Sequence, residues 1–114
     1  MHSVSDIRRI VSPIAARYGV ERVYLFGSYA YGTPGIDSDY DFYIVVDDGH
    51  TDSYEETLQA YRAIRHMRSR PVDILVCTNS TFERKKNADP STIESEVFRK
   101  GILIYDANSS SAMA

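Results

Sequence analysis

Two aspartates separated by one residue, Asp39-Tyr40-Asp41, stand at the head of an apolar run, Phe42-Tyr43-Ile44-Val45-Val46. On an extended strand, residues two apart share a face, so both carboxylates project together while Phe42 points the other way. Like charges this close are costly unless a cation lies between them, and hard carboxylate oxygens suit Mg²⁺. A third acid, Asp73, interrupts Val72-Asp73-Ile74-Leu75-Val76, which otherwise reads as a fully buried strand. An acid in such a run needs a partner, a metal or an open cleft. If that strand lies beside the one bearing Asp41, three carboxylates meet at one edge, enough to hold two metal ions for in-line phosphoryl chemistry. Gly27-Ser28 adds the complementary half. A glycine lets a phosphate approach the backbone, amides opening a short helix donate to an anion, and the Ser28 hydroxyl is a further donor.

These residues need a scaffold, and the chain spells one out. Ile7, Ile10, Val11, Ile14 and Tyr18 recur at helical spacing, with Gly19 as a C-cap and Pro13 inside the pattern, where it kinks or splits the helix. Residues 22–26 read as a strand stopped by Gly27. The Gly-, Ser-, Thr- and Pro-rich segment to Ser38 reads as a loop with a turn of helix from Ser28 to Ala30. A second strand runs from Asp39 to Val46. A helix follows from Tyr54 to Ser69, with Ala60, Ala63, Ile64 and Met67 as its buried stripe, and ends before Pro71. Val72 to Cys77 reads as a third strand, and Thr81 to Asp89 as a loop or weak helical turn. Ser91 and Glu94 form a capping-box pattern for a helix ending at Gly101, and Ile102 to Tyr105 closes the pattern as a short strand. The order of helices and strands predicts an α/β fold, a small mixed sheet flanked by helices, whose strand order the sequence does not reveal. One domain over residues 1–106 and a disordered tail over 107–114 are expected.

At this point the resemblance to a known family is close. Gly27-Ser28, ten intervening residues, then Asp39-x-Asp41 resembles the signature of the minimal nucleotidyltransferase domains in the polymerase-β-like superfamily. The fuller run Phe26-Gly27-Ser28-Tyr29-Ala30-Tyr31-Gly32 and the later Val72-Asp73-Ile74 match as well, and the resemblance covers nearly the whole chain. It implies that Asp39, Asp41 and Asp73 bind metal, two Mg²⁺ ions, with Asp73 also helping to activate the acceptor hydroxyl. It implies that Gly27 and Ser28 hold the β- and γ-phosphates of an NTP, ATP in the favoured case. It further implies an antitoxin that adenylylates a HEPN-domain partner protein. Tyr31 departs from the pattern, since many relatives carry arginine there; this touches a phosphate or acceptor contact, not the metal site.

Competing readings of the same residues are weaker. Asp37-x-Asp39-x-Asp41 mimics the start of a calcium loop, but Phe42 opens an apolar strand where that loop needs glycine. Gly27 to Gly32 has the glycine spacing of a P-loop, yet Thr33 stands in place of its lysine. No histidine is placed by the sequence to activate Ser28 as a nucleophile, and His2, His50 and His66 read as surface residues. Cys77 reads as a small core residue. The basic set Arg62, Arg65, Arg68 and Arg70 reads as a solvated face, as do Lys85 and Lys86. Of the nine tyrosines, any exposed ones among Tyr29, Tyr31, Tyr40 and Tyr43 would mark a partner surface, and core packing accounts for several equally well.

Composition narrows the class. The 114 residues are 43% hydrophobic and 25% charged, as in an ordinary globular domain. A net charge of −3 gives no electrostatic hold on long nucleic acid or an acidic membrane surface. One cysteine excludes an internal disulfide, and no apolar run approaches membrane-spanning length, so a cytoplasmic protein is expected. Two alternatives to catalysis on a protein remain open: stoichiometric neutralisation of a partner, and transfer to a small molecule such as an aminoglycoside. The last would need a helical acceptor surface, borrowed by homo-oligomerising or from a separate protein.

Overall fold

A computed structural model describes residues 4–17, 19–27, 30, 39–49, 53–65 and 71–108. Among these residues eight elements follow in order. They are α1 (Val4–Ala15), β1 (Val20–Phe26), β2 (Tyr40–Val46), α2 (Ser53–Ile64), β3 (Val72–Thr78), α3 (Asn79–Ala88), α4 (Ile93–Lys100) and β4 (Ile102–Asp106). The strands form one mixed sheet in the order β3-β2-β1-β4. β1 pairs antiparallel with both β2 and β4, whereas β2 and β3 run parallel. A parallel pair needs a crossover, and α2 supplies it.

Period-two alternation divides β2 between two cores. Tyr40, Phe42, Ile44 and Val46 pack on one face with Ile7, Ile10, Val11 and Ile14 of α1 and Ala60 and Ile64 of α2. Tyr43 and Val45 pack on the other with Tyr24, Phe26, Phe82 of α3 and Val97 of α4. Each helix therefore spends its apolar spacing on one side of the sheet.

Several sequence expectations shift. The first helix ends at Ala15, not Tyr18, with Pro13 inside it rather than dividing it, and Gly19 takes φ +86° in the turn that follows. Residues 79–88 form a ten-residue helix where a loop or weak turn is expected, because Phe82 is fully buried and Asp48 Oδ1 accepts from the Ser80 amide at 2.9 Å. The last helix is capped by Thr92, whose hydroxyl accepts from Ser95 N at 3.1 Å, so the Ser91/Glu94 box does not form. β3 is an edge strand instead of a fully buried one: Val72 and Ile74 face the core, while Asp73 and Leu75 are exposed. Tyr40 and Tyr43 are buried and mark no partner surface. Ala107 N donates to Glu21 O at 2.8 Å, and residues 109–114 of the expected tail lie outside the described residues, as do His2, His50, His66, Met67, Arg68 and Arg70.

Candidate active site

The sheet register sets the acids side by side. Asp41 is the direct partner of Asp73 across the parallel β2–β3 pair, and Phe26 is the partner of Asp41 across β1–β2. Asp39 lies one residue before β2, on the same alternation as Asp41. The three acids gather where two parallel strands begin and β1 ends, just beyond the aromatic cluster under α3 and α4. Asp73 is exposed, whereas Asp39 and Asp41 are half-buried.

Gly27 follows β1 directly and takes φ +74°, a conformation that L side chains rarely adopt. A Cβ added there would stand only 3.0 Å from Asp41 Cγ and overlap its carboxylate oxygen. Glycine is therefore required twice over, by backbone conformation and by the closeness of the acid. Ala30 N donates to Gly27 O at 3.0 Å. Ser28, expected to hold phosphate with Gly27, lies outside the described residues, as do Tyr29 and Tyr31.

The electrostatics are those of crowded anions. Desolvation first, then the charges of Asp73 and Asp39 and a hydrogen bond with Asp73, push the Asp41 carboxyl up to about 6. Asp39 is also raised, by desolvation first and then by a hydrogen bond and charge repulsion with Asp73. Among the described residues, no lysine or arginine forms an ion pair with any of the three. Nor, among these residues, is any group of three or more His, Cys, Asp or Glu side chains arranged as a finished metal site. The donor chemistry nonetheless fits a hard divalent cation. Asp73 hydrogen-bonds with Asp39 and with Asp41, with no cationic partner among the described residues, and an ion would take the place of the protons between them.

Beneath the acids, Tyr43 shares their face of β2. Its hydroxyl donates to Glu94 Oε2 of α4 at 2.7 Å, in a buried setting. Burial first, then the neighbouring Cys77 and Glu94, hold the Tyr43 phenol above its ordinary range. Glu94 is thus a buried structural partner where the sequence suggests a capping residue. Its signal lay in the periodicity of α4, where Glu94 shares the inward face with Val97. Cys77 is partly buried against the same cluster, as expected. Arg62 and Arg65 are exposed, in keeping with a solvated face. Lys86 is drawn inward instead, pairing with Glu83 at 2.8 Å and standing 3.9 Å from the Phe98 ring centroid.

Comparison with known proteins agrees with this geometry. The nucleotidyltransferase domain family matches residues 7–103. A candidate nucleotidyltransferase from Sulfolobus solfataricus superposes with a TM-score of 0.62 at 22% identity, over 90% of this chain and 79% of that one. A chain of a toxin-antitoxin complex solved with AMP-PNP superposes with a TM-score of 0.54 at 19% identity, over 91% and 73%. No curated protein matches the chain significantly. At these identities the two structures establish the shared fold, and the family match carries the assignment. The chain belongs to the nucleotidyltransferase domain family.

Proposed function

We propose that this nucleotidyltransferase domain moves AMP from ATP to a hydroxyl on a HEPN-domain protein, and so acts as the antitoxin of that partner in the cytoplasm. The observation that carries the proposal is the direct pairing of Asp41 with Asp73 beside a glycine that tolerates no side chain. The likeness to a chain of a toxin-antitoxin complex solved with AMP-PNP supports a toxin-type partner and an adenine nucleotide, while the HEPN identity of that partner rests on the sequence resemblance.

In this mechanism Asp39, Asp41 and Asp73 would hold Mg²⁺, two ions in the full site, and the metal would supply positive charge to offset that of the phosphates. The Gly27 turn, together with Ser28, grips the β- and γ-phosphates and aligns the α-phosphorus. Asp73 is the most open of the three acids, and in this reading it takes the proton from the acceptor hydroxyl. The acceptor oxygen bonds to the α-phosphorus as the bond to the β-phosphate oxygen breaks, and pyrophosphate leaves with that electron pair. What the chain contributes is position and charge, which is most of what phosphoryl chemistry asks of a protein.

A second reading has one observation in its favour. Among the described residues the acids are not arranged as a finished metal site, as they need not be if the chain neutralises its partner by binding alone. Incubation with Mg²⁺, ATP labelled at the α-phosphate and a candidate HEPN-domain partner separates the two. Label on the partner, lost in Asp39→Asn, supports transfer. Neutralisation at equimolar ratio by the Asp39→Asn, Asp41→Asn double variant, with no label moved, establishes binding instead.

A further inference from the structure

We infer that Tyr61 is a positioning residue for Asp73. Its hydroxyl clamps the backbone amide of the next residue, Ile74, and so fixes where the third carboxyl stands. The inference rests on the transferase function proposed above.

Among the described residues β3 is an edge strand, paired on one side with β2. Tyr40 N donates to Pro71 O at 3.1 Å at the head of that pairing. Along an edge strand, alternate amides point away from the neighbour and must find water or another acceptor. The Ile74 amide is one of these, and it donates to Tyr61 Oη at 2.9 Å. Tyr61 is itself held, because its ring packs against the larger core and its helix is anchored there by the buried Ala60 and Ile64. The peptide joining Asp73 to Ile74 is therefore gripped from both sides, by β2 in register and by α2 through one phenol.

This grip matters because the Asp73 side chain is exposed. Apart from its hydrogen bonds with Asp39 and Asp41, its backbone is what sets it opposite Asp41 among the described residues. Groups that fix a metal-binding carboxylate from behind commonly alter affinity or rate by about 10-fold or more when removed. Tyr61→Phe keeps the ring in the core and deletes only the acceptor, whereas Tyr61→Leu also deletes ring packing.

The test reads metal binding directly, with Mn²⁺ titrated into the full chain and followed by water-proton relaxation, alongside amide exchange at Ile74. Tyr61→Phe should weaken Mn²⁺ binding about 10-fold, speed exchange at Ile74, and lower kcat with KM for ATP unchanged. Thermal stability should fall more in Tyr61→Leu than in Tyr61→Phe. If Tyr61→Phe binds Mn²⁺ as the unaltered chain does, or if its losses merely follow thermal stability across the two variants, the positioning role is overturned. An unaltered chain that binds no Mn²⁺ and transfers no label overturns the transferase function itself, a different result from a normal parent with a normal Tyr61→Phe.

Discussion

The two faces of the sheet are built from the same strands and do different work. The face under α1 and α2 is apolar and dry, and β2 gives it Tyr40, Phe42, Ile44 and Val46, each at most 2% exposed. The opposite face carries the polar inventory. There Tyr43 meets Glu94, the Arg22 guanidinium stands 5.2 Å from the Phe82 ring centroid, and the acids occupy the open end. One strand thus serves both: one parity goes wholly to the larger core, and the other is shared between the second core, at Tyr43 and Val45, and the acids at the strand's head. At that head, a substitution's consequence should follow its parity more than its distance from Asp41.

The sharpest way to break that comparison uses neighbours of opposite parity. Phe42→Ala removes a fully buried ring from the dry face and should cost about 3–5 kcal/mol of stability. That is a large part of the total for a domain this small, visible as a collapse of the thermal midpoint. Asp41→Asn, one residue away, should leave the fold intact and reduce nucleotidyl transfer by about 10³-fold or more, about 4 kcal/mol of barrier. Circular dichroism melts and transfer rates measured on both variants decide the matter. If Asp41→Asn melts like Phe42→Ala, the division of labour is wrong.

Next in size is Gly27→Ala. A left-handed conformation costs a residue with a Cβ about 1–2 kcal/mol, and the added carbon must also displace the Asp41 carboxylate. Transfer and stability should both fall, with transfer falling further. Restoring room with Asp41→Gly in the same chain should recover stability but not transfer. Tyr43→Phe is milder. It leaves Glu94 buried without its donor, at about 1–3 kcal/mol, and should leave the affinity for divalent cation unchanged, since the hydroxyl faces α4.

What the sequence discloses follows from how local each cause is. The acids on β2 are legible because period two needs only three consecutive residues, and α1 because Ile7, Ile10, Val11 and Ile14 repeat within one helix. The helix over 79–88 is not legible, because its apolar anchor is the single Phe82 and the carboxylate at its N-terminus belongs to Asp48, 32 residues earlier. The false capping box has the same origin: Glu94 fits the local motif, but Tyr43, 51 residues away, claims its carboxylate. Strand order is likewise a global property, so the pairing of Asp41 with Asp73 could be stated only as a condition to be met. Burial along β3 was misjudged because an apolar run reads alike on a central and an edge strand.

The smallest expected effect is a pH dependence, and its sign separates a site waiting for a cation from an ordinary surface cluster. The Asp41 carboxyl is raised from 3.8 to about 6 in the folded chain, so folding takes up protons on this group. The stability it contributes is complete below its unfolded value and is lost as pH rises through about 6. Because the group is partly open to solvent, the loss is discounted to about 1 kcal/mol. Metal-free protein should therefore be less stable at pH 7 than at pH 5, beyond what its other groups cause, and Asp41→Asn should remove that increment. Mg²⁺ should restore the stability of the unaltered chain at pH 7, where the carboxylates are charged, and do little at pH 4, where protons occupy the same oxygens. Urea melts of both proteins at the three pH values, with EDTA and with Mg²⁺, measure each part. Equal slopes for the two proteins from pH 5 to 7 would mean that the acids do not repel one another, and the cation would have no strain to relieve.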